Sequence, residues 1–393
     1  MKFYVYNLGC RVNRSESDHL EALLEAQGLE RGGLADADLI VVNTCTVTSE
    51  AARKSRKAAH HARRHNPKAR IMVTGCAVNI DPADFADFES IGDKAALGAK
   101  LRQITFEASG QQEPGTLSEV LPPPAARVRH DLKIQDGCGH DCAYCIVRKA
   151  RGGARSLPVA KVLDGLSHWP DGETVFTGID LGAYRDGDLD LAALLRLCLP
   201  RLGRGRIRLS SIEPTNLKQD LVDLIAESDG RICRHLHIPL QSGSDRILHN
   251  MSRPYDRDFY LTLVKRIRSR IPKVALSSDV IVGLPGESES DFADTIELCQ
   301  ACAFSKIHVF RYSARRGTPA ANMPDQVDEA VKIARSQALR NLGQHLRATD
   351  LASRAGNRER VVVERTGLGT SESYHKIKTP RQARPGDLIE MVL

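Results

Sequence analysis

The 393-residue chain has no apolar run of the ~18 residues that a membrane-spanning helix needs, which argues against a helical membrane protein and against a membrane partner. Its start is not expected to act as an export segment. The start, Met1-Lys-Phe-Tyr-Val-Tyr-Asn7, meets Gly9 and Arg11 before an apolar core can build up. Ten cysteines without an export signal imply a reducing, cytoplasmic setting, where they serve as metal ligands or buried thiols rather than disulfides. Acids are missing from residues 51–70, which carry eight Lys/Arg and no Asp/Glu. Residues 354–384 carry eight Lys/Arg against three Asp/Glu, and the net charge is +7, so the remainder is acidic. Two basic patches on an otherwise acidic chain suit a polyanion held at two places.

The most informative absence is of a fourth cysteine beside Cys138, Cys142 and Cys145. These three stand at C-x3-C-x2-C spacing in Ile134–Gly153, and no further cysteine lies within ten residues. Glycines at 137 and 139 let the loop fold back and turn three thiolates toward one point. A structural zinc site is closed by four ligands. Three soft ligands suit an iron–sulfur cluster with one iron open to a small molecule. Buried free thiols, or a zinc site completed by His130 or His140, are the alternatives.

The N-terminal 107 residues alternate strand and helix: strands at Lys2–Leu8, Asp38–Asn43 and Arg70–Thr74, helices at Ser15–Gln27 and Thr48–His65. This pattern predicts an open parallel α/β sheet. Each strand is followed at once by a cysteine: Cys10, Cys45 and Cys76. In a parallel sheet such strand ends share one edge, where ligands bind, so the three are expected to meet as a second three-ligand cluster site. The helix at 48–65 carries Arg53, Lys54, Arg56, Lys57, Arg63 and Arg64. With no acid in the run, these are expected to contact RNA phosphate; a solvated helix face is the alternative. His60, His61 and His65 read as exposed helix residues.

Residues 108–127, rich in Gly, Gln and Pro, read as a linker. Six strand–helix repeats follow over 128–348, within a core unit expected over 128–353, with strands near Leu132–Gln135, Thr174–Phe176, Ile207–Ser211, Leu236–Leu240, Ala275–Val282 and Lys306–Phe310. They predict a partial (β/α)6 barrel of the TIM type with its site at the C-terminal strand ends. Cys198, Cys233, Cys299 and Cys302 read as core thiols. Residues 354–393 read as a small antiparallel β module, with Arg360–Glu364, a Gly367-Leu-Gly-Thr370 turn, Tyr374–Lys378 and Asp387–Val392. Lys376 and Lys378 are its expected RNA contacts.

The cysteine loop, with Tyr144 before its last cysteine, resembles the signature of radical S-adenosylmethionine (SAM) enzymes. The whole chain resembles the radical SAM methylthiotransferases, and among them the type acting on tRNA threonylcarbamoyladenosine. The likeness rests on Leu8-Gly-Cys-Arg-Val-Asn13, Asn43-Thr-Cys-Thr-Val-Thr48, Val73-Thr-Gly-Cys76, Gln135-Asp-Gly-Cys138, Leu209-Ser-Ser-Ile-Glu-Pro214, His237-Ile-Pro-Leu-Gln-Ser-Gly-Ser244, Asp279-Val-Ile-Val-Gly283 and His308-Val-Phe-Arg-Tyr-Ser313. Arg148 stands where the family usually has Pro.

The resemblance implies two [4Fe–4S] clusters. One, on Cys138, Cys142 and Cys145, binds and cleaves S-adenosylmethionine; the other, on Cys10, Cys45 and Cys76, carries the sulfur. It further implies SAM contacts at Tyr144, Gly178, Glu213, Gln241 and Gly283, a TRAM-like RNA-binding tail, and methylthiolation at C2 of the modified adenine. The substrate would be tRNA carrying threonylcarbamoyladenosine, with a reducing electron donor and a sulfur donor as partners. Isopentenyladenosine tRNA, a ribosomal protein, or a non-catalytic zinc-bound RNA-binding role are the competing readings.

Overall fold

The computed structural model describes residues 1–109 and 128–393. The expected linker, apart from its first two residues, lies outside them. The N-terminal sheet has strands β1 (Lys2–Asn7), β2 (Glu30–Arg31), β3 (Leu39–Thr44), β4 (Arg70–Gly75) and β5 (Glu89–Ile91), all parallel, in the order β2-β1-β3-β4-β5. Its helices are α1 (Arg11–Ala26), α2 (Ser49–His65), α3 (Cys76–Ile80) and α4 (Lys94–Ser109). Sequence reading anticipated neither edge strand nor α4. β3 reads Leu-Ile-Val-Val because both its faces are covered: Leu39 and Val41 pack with Leu20, Leu24 and Leu101, while Ile40 and Val42 pack with Ala59, Ala62 and Phe85. Thr48 caps α2 by accepting from the Ala51 N–H at 3.1 Å.

The second unit is the expected half-barrel. Its strands are β6 (Arg129–Lys133), β7 (Glu173–Thr177), β8 (Arg206–Leu209), β9 (His235–His237), β10 (Ala275–Val282) and β11 (Lys306–Arg311). β6, β7 and β8 pair in parallel, as do β9, β10 and β11, and the bridges Ile207–Ile232 and Ser211–His237 join the two halves. Leu276, Val280, Val282, Ile307 and Val309 face the helices. The alternate residues Ser277, Asp279, Lys306 and His308 therefore face the lumen. The N-terminal unit lies against β6: Ser15 Oγ donates to the Asp131 carbonyl at 2.6 Å, and Arg11 pairs with Asp131 at 3.4 Å.

The tail forms an antiparallel sheet of β12 (Arg358–Arg365), β13 (Leu368–Ser371), β14 (Lys376–Lys378) and β15 (Leu388–Val392), in the order β14-β13-β12-β15. Sequence reading took Gly367–Thr370 as a turn; the turn ends at Gly367 (φ +77°), and the next four residues pair as β13. This sheet docks on the barrel floor. Arg206 and Arg208, both buried, donate to the carbonyls of Thr370, Ser371 and Glu372, and Glu173 neutralises both guanidinium groups.

Candidate active site and metal centres

Three loops bring Cys10, Cys45 and Cys76 to one edge of the N-terminal sheet, and buried polar side chains stitch the loops together. Asn13 donates to the Leu8 and Thr44 carbonyls at 2.9 and 2.7 Å, and Asn43 donates to the Asn13 carbonyl at 2.9 Å. Thr44 Oγ1 donates to the Thr74 carbonyl and accepts from the Ala77 N–H, at 2.6 and 3.2 Å. Ser55 Oγ clamps both backbone groups of Cys45. Gly9, at φ +111°, lies so close that a Cβ there would sit 2.9 Å from the Cys45 sulfur. Cys45 and Cys76 are buried, and Cys10 is exposed. Burial pushes the Cys76 thiol up to about 11, against the pull of Arg151.

The second set lies in the loop after β6. Each of its sulfurs accepts a hydrogen bond: Cys138 from the His140 N–H at 3.4 Å, Cys142 from Arg253 Nη1 at 3.0 Å, and Cys145 from the Val147 N–H at 3.4 Å. Three sulfurs so supplied with donors suit thiolates. Burial pushes the Cys145 thiol up to about 12 without a metal, so ligation there must release a proton. Arg253 also holds Glu213, and its guanidinium lies 5.0 Å from the Tyr255 ring centroid.

The spacing bears on which metal fits. Zinc at ~2.3 Å from each sulfur puts tetrahedral thiolates ~3.8 Å apart. Among the described residues neither cysteine trio closes to within 4.8 Å throughout. Neither is therefore a preformed mononuclear zinc site, whereas a cluster offering a separate iron to each thiolate accommodates wider spacing.

The two sets are mechanically joined. α3, which Cys76 opens, packs on α5 (Val147–Arg151), which follows Cys145; Asn79 Nδ2 donates to the Ala150 carbonyl at 2.8 Å. At the end of α5, Arg151 reaches Asn13 Oδ1 at 2.6 Å, Glu16 Oε1 at 2.9 Å and Asp136 Oδ1 at 2.9 Å. Burial would push Glu16 up, but Lys94, Lys133 and Arg151 hold it well below the usual carboxylate range. A cavity of about 1010 Å³, lined by Cys76, Glu16, Lys94, Lys133, Asp136 and Arg151 among others, opens at this junction.

Comparison with known proteins fits this arrangement. Residues 132–299 match the Radical SAM superfamily, and residues 2–95 match the Uncharacterized protein family UPF0004. The threonylcarbamoyladenosine tRNA methylthiotransferase MtaB of Bacillus subtilis is 34% identical, over 95% of this chain and 89% of its own length. That of Aquifex aeolicus is 33% identical over the full length of both. The chain belongs to the radical SAM methylthiotransferases, of the MtaB type. A tRNA-2-methylthio-N(6)-dimethylallyladenosine synthase of Parafrankia is also similar, 32% identical over 100% of this chain and 87% of its own. Among solved structures, the radical SAM methyltransferase TsrM of Kitasatospora setae has TM-score 0.59 at 15% identity, covering 81% of this chain and 73% of that one. OxsB has TM-score 0.54 at 11% identity, covering 88% and 56%. These two likenesses speak for the fold alone.

In this methylthiotransferase the expected SAM contacts gather at the C-terminal strand ends. Tyr144 is half-buried against Ile247, Met251, Leu284 and Tyr312. Gly178 stands where a Cβ would meet Gln135 at 2.8 Å, and its N–H donates to Ser210. Glu213 is buried and raised by that burial, against the pull of Arg253. Gln241 holds a left-handed backbone (φ +68°), a conformation uncommon outside glycine and frequent at functional sites. Gly283 (φ +77°) donates its N–H to Glu287 Oε2 at 3.0 Å.

Sequence reading missed Arg253, Arg151 and Gln135. Gln135 Oε1 accepts from the Ile179 and Asp180 N–H groups, both at 2.9 Å, tying the strand before the cysteine loop to the end of β7. No local pattern marks Arg253 or Arg151; Gln135 stands in the Gln135-Asp-Gly-Cys138 stretch already quoted.

The basic helix needs correcting, because acids do offset it. Glu50, just outside the run, pairs with Arg53 and Lys54, and Asp84 pairs with Arg56. Arg63 donates to the Asp87 carbonyl and covers the Phe88 ring. Lys57 and Arg64 are exposed, with no ion pair among the described residues. In the tail Lys376 pairs with Glu364, while Lys378 is exposed. Cys198, Cys233, Cys299 and Cys302 are fully buried, as expected of core thiols. Among the described residues no helix is long and apolar enough to cross a membrane.

Proposed function

We propose that this methylthiotransferase modifies threonylcarbamoyladenosine beside the tRNA anticodon, placing a methylthio group at C2 of the base. The observation that carries the reading is the 34% identity to the MtaB protein of Bacillus subtilis along 95% of the chain. On this reading Cys138, Cys142 and Cys145 hold one [4Fe–4S] cluster and Cys10, Cys45 and Cys76 a second. When bound, these groups and S-adenosylmethionine supply the one-electron chemistry and the sulfur that an unactivated aromatic C–H demands. The chain's own residues do the rest. Arg253 donates to Cys142 and fixes Glu213, while Tyr144, Gly178, Gln241 and Gly283 shape the S-adenosylmethionine pocket. Arg151 holds the two cysteine sets in register.

Residues 1–107, 128–353 and 354–393 act as sulfur-donating, radical-generating and RNA-holding units, the last in the manner of a TRAM domain. Of the expected RNA contacts, Lys57, Arg64 and Lys378 have no ion pair among the described residues and meet phosphate. The enzyme works in the cytoplasm with a reducing electron donor and a sulfur donor.

Mass spectrometry of tRNA nucleosides from a deletion strain tests the substrate. The methylthiolated threonylcarbamoyladenosine should vanish and its precursor accumulate. Loss of the methylthiolated isopentenyladenosine instead would assign the enzyme to the other substrate.

A further inference from the structure

The lumen face of β9, β10 and β11 carries a cluster that the cysteine chemistry does not use. His237 Nε2 lies 3.3 Å from Asp279 Oδ2, and His308 is the cross-strand partner of Asp279. Ligand atoms of all three fall within 4.8 Å of one another. Two imidazoles and a carboxylate suggest a cation site at first sight, but the surrounding charge argues otherwise.

Lys306 stands on the same face, roughly 7 Å (two residues) below His308. It is half-buried, and no carboxylate lies within ion-pair distance of it among the described residues. Its neighbour is the Tyr374 ring, 5.8 Å away, whose hydroxyl accepts a hydrogen bond from Arg11 at 2.5 Å. Asp279, the one acid of the cluster, is already taken up by His237, whose other ring nitrogen is fixed by Ser277 Oγ at 3.0 Å. Lys306 is surrounded by further positive charge, from Arg11, Arg347 and Lys376, with no carboxylate beside it, so this end of the face repels a divalent ion and attracts an anion. Burial and Lys306 lower His308 to about 4, so it stands as a neutral ring with one N–H to give. Above it on the same face, toward the C-terminal strand end, Phe310 is 42% exposed.

We propose that Lys306 and His308 form a subsite for the carboxylate of the substrate's amino-acid arm, and so select a threonylcarbamoylated base over one bearing a hydrocarbon arm. A threonylcarbamoyl arm ends in a free carboxylate, which completes the Lys306 ammonium. An isopentenyl arm would strand that ammonium against carbon, an uncompensated desolvation. The inference rests on the substrate reading proposed above.

The test uses holoenzyme and three anticodon stem-loops, bearing threonylcarbamoyladenosine, its carboxylate methyl ester and isopentenyladenosine. Wild type should prefer the acid by about tenfold or more in kcat/KM, the worth of a charged hydrogen bond, expressed mainly in KM. K306M should bring the acid down to the level of the ester, and K306R should restore the preference. A wild-type enzyme indifferent to esterification, or a K306M enzyme that still prefers the acid, overturns the subsite while the substrate reading stands. Turnover of an isopentenyladenosine stem-loop with neither threonylcarbamoyl substrate accepted overturns that reading itself.

Discussion

Arg151 Nη1 lies 2.9 Å from Glu16 Oε1, a buried ion pair joining the helix behind Cys145 to the helix behind Cys10. Both side chains are about 95% buried, with relative exposures of 6% and 5%. Without Arg151, Glu16 keeps Lys133 and Lys94 and Asp136 keeps Lys133 and Arg155, so neither acid is left uncompensated. Arg151→Ala should lose roughly 1.5–3 kcal/mol in urea unfolding, the worth of hydrogen bonds to charged groups. Arg151→Lys should recover only part, because a point charge cannot reach Asn13, Glu16 and Asp136 together.

Arg253 serves Cys142 from a loop more than a hundred residues away. Partners of a metal ligand typically matter by about 10–100-fold in affinity or activity. Arg253→Ala should lower 5′-deoxyadenosine production on that scale and reduce iron at the Cys138 site. Spectroscopy on the isolated clusters should find the Cys45 site unaffected.

Gly9 has the opposite specificity. A Cβ there would lie 2.6 Å from the Cys45 Cβ, at a φ that L-residues avoid. Gly9→Ala should lose about half the iron per chain, that of the Cys10 site, since each cluster contributes equally. S-adenosylmethionine cleavage should continue while methylthiolation stops.

Glu173 sets an acid limit on the fold. Burial alone would raise its carboxyl, but Arg208 and Arg206 hold it well below the usual range. A depressed carboxylate stabilises fully above its unfolded value, near about 4.3, and loses that contribution as pH falls below it. The urea midpoint should drop between pH 6 and pH 3. Glu173→Gln should be weaker at pH 7 by about 3–5 kcal/mol, with two guanidinium groups left unneutralised, and flatter across the acid range.

Much of this was legible in the chain. The cysteines after β1, β3 and β4 announced themselves because parallel strands end on one edge, and the six barrel strands because each alternates or runs apolar. Arg253 and Arg151 were not legible, since their partners lie from 15 to 138 residues away and leave no periodic trace. The basic helix misled because its acids, Glu50 and Asp84, fall just before and well after the run that was counted. β13 was hidden by Gly369 and the neighbouring Gly367, which together read as a turn although Gly369 is needed to let Val361 pack against the strand.

The account stands on two cysteine sets with separate tasks. Anaerobic assay of 5′-deoxyadenosine and methylthiolated nucleoside in two triple variants tests this most directly. Replacing Cys138, Cys142 and Cys145 by Ala should abolish both products, and replacing Cys10, Cys45 and Cys76 should abolish only the second. Deoxyadenosine persisting in the first variant, or methylthiolation persisting in the second, would contradict it.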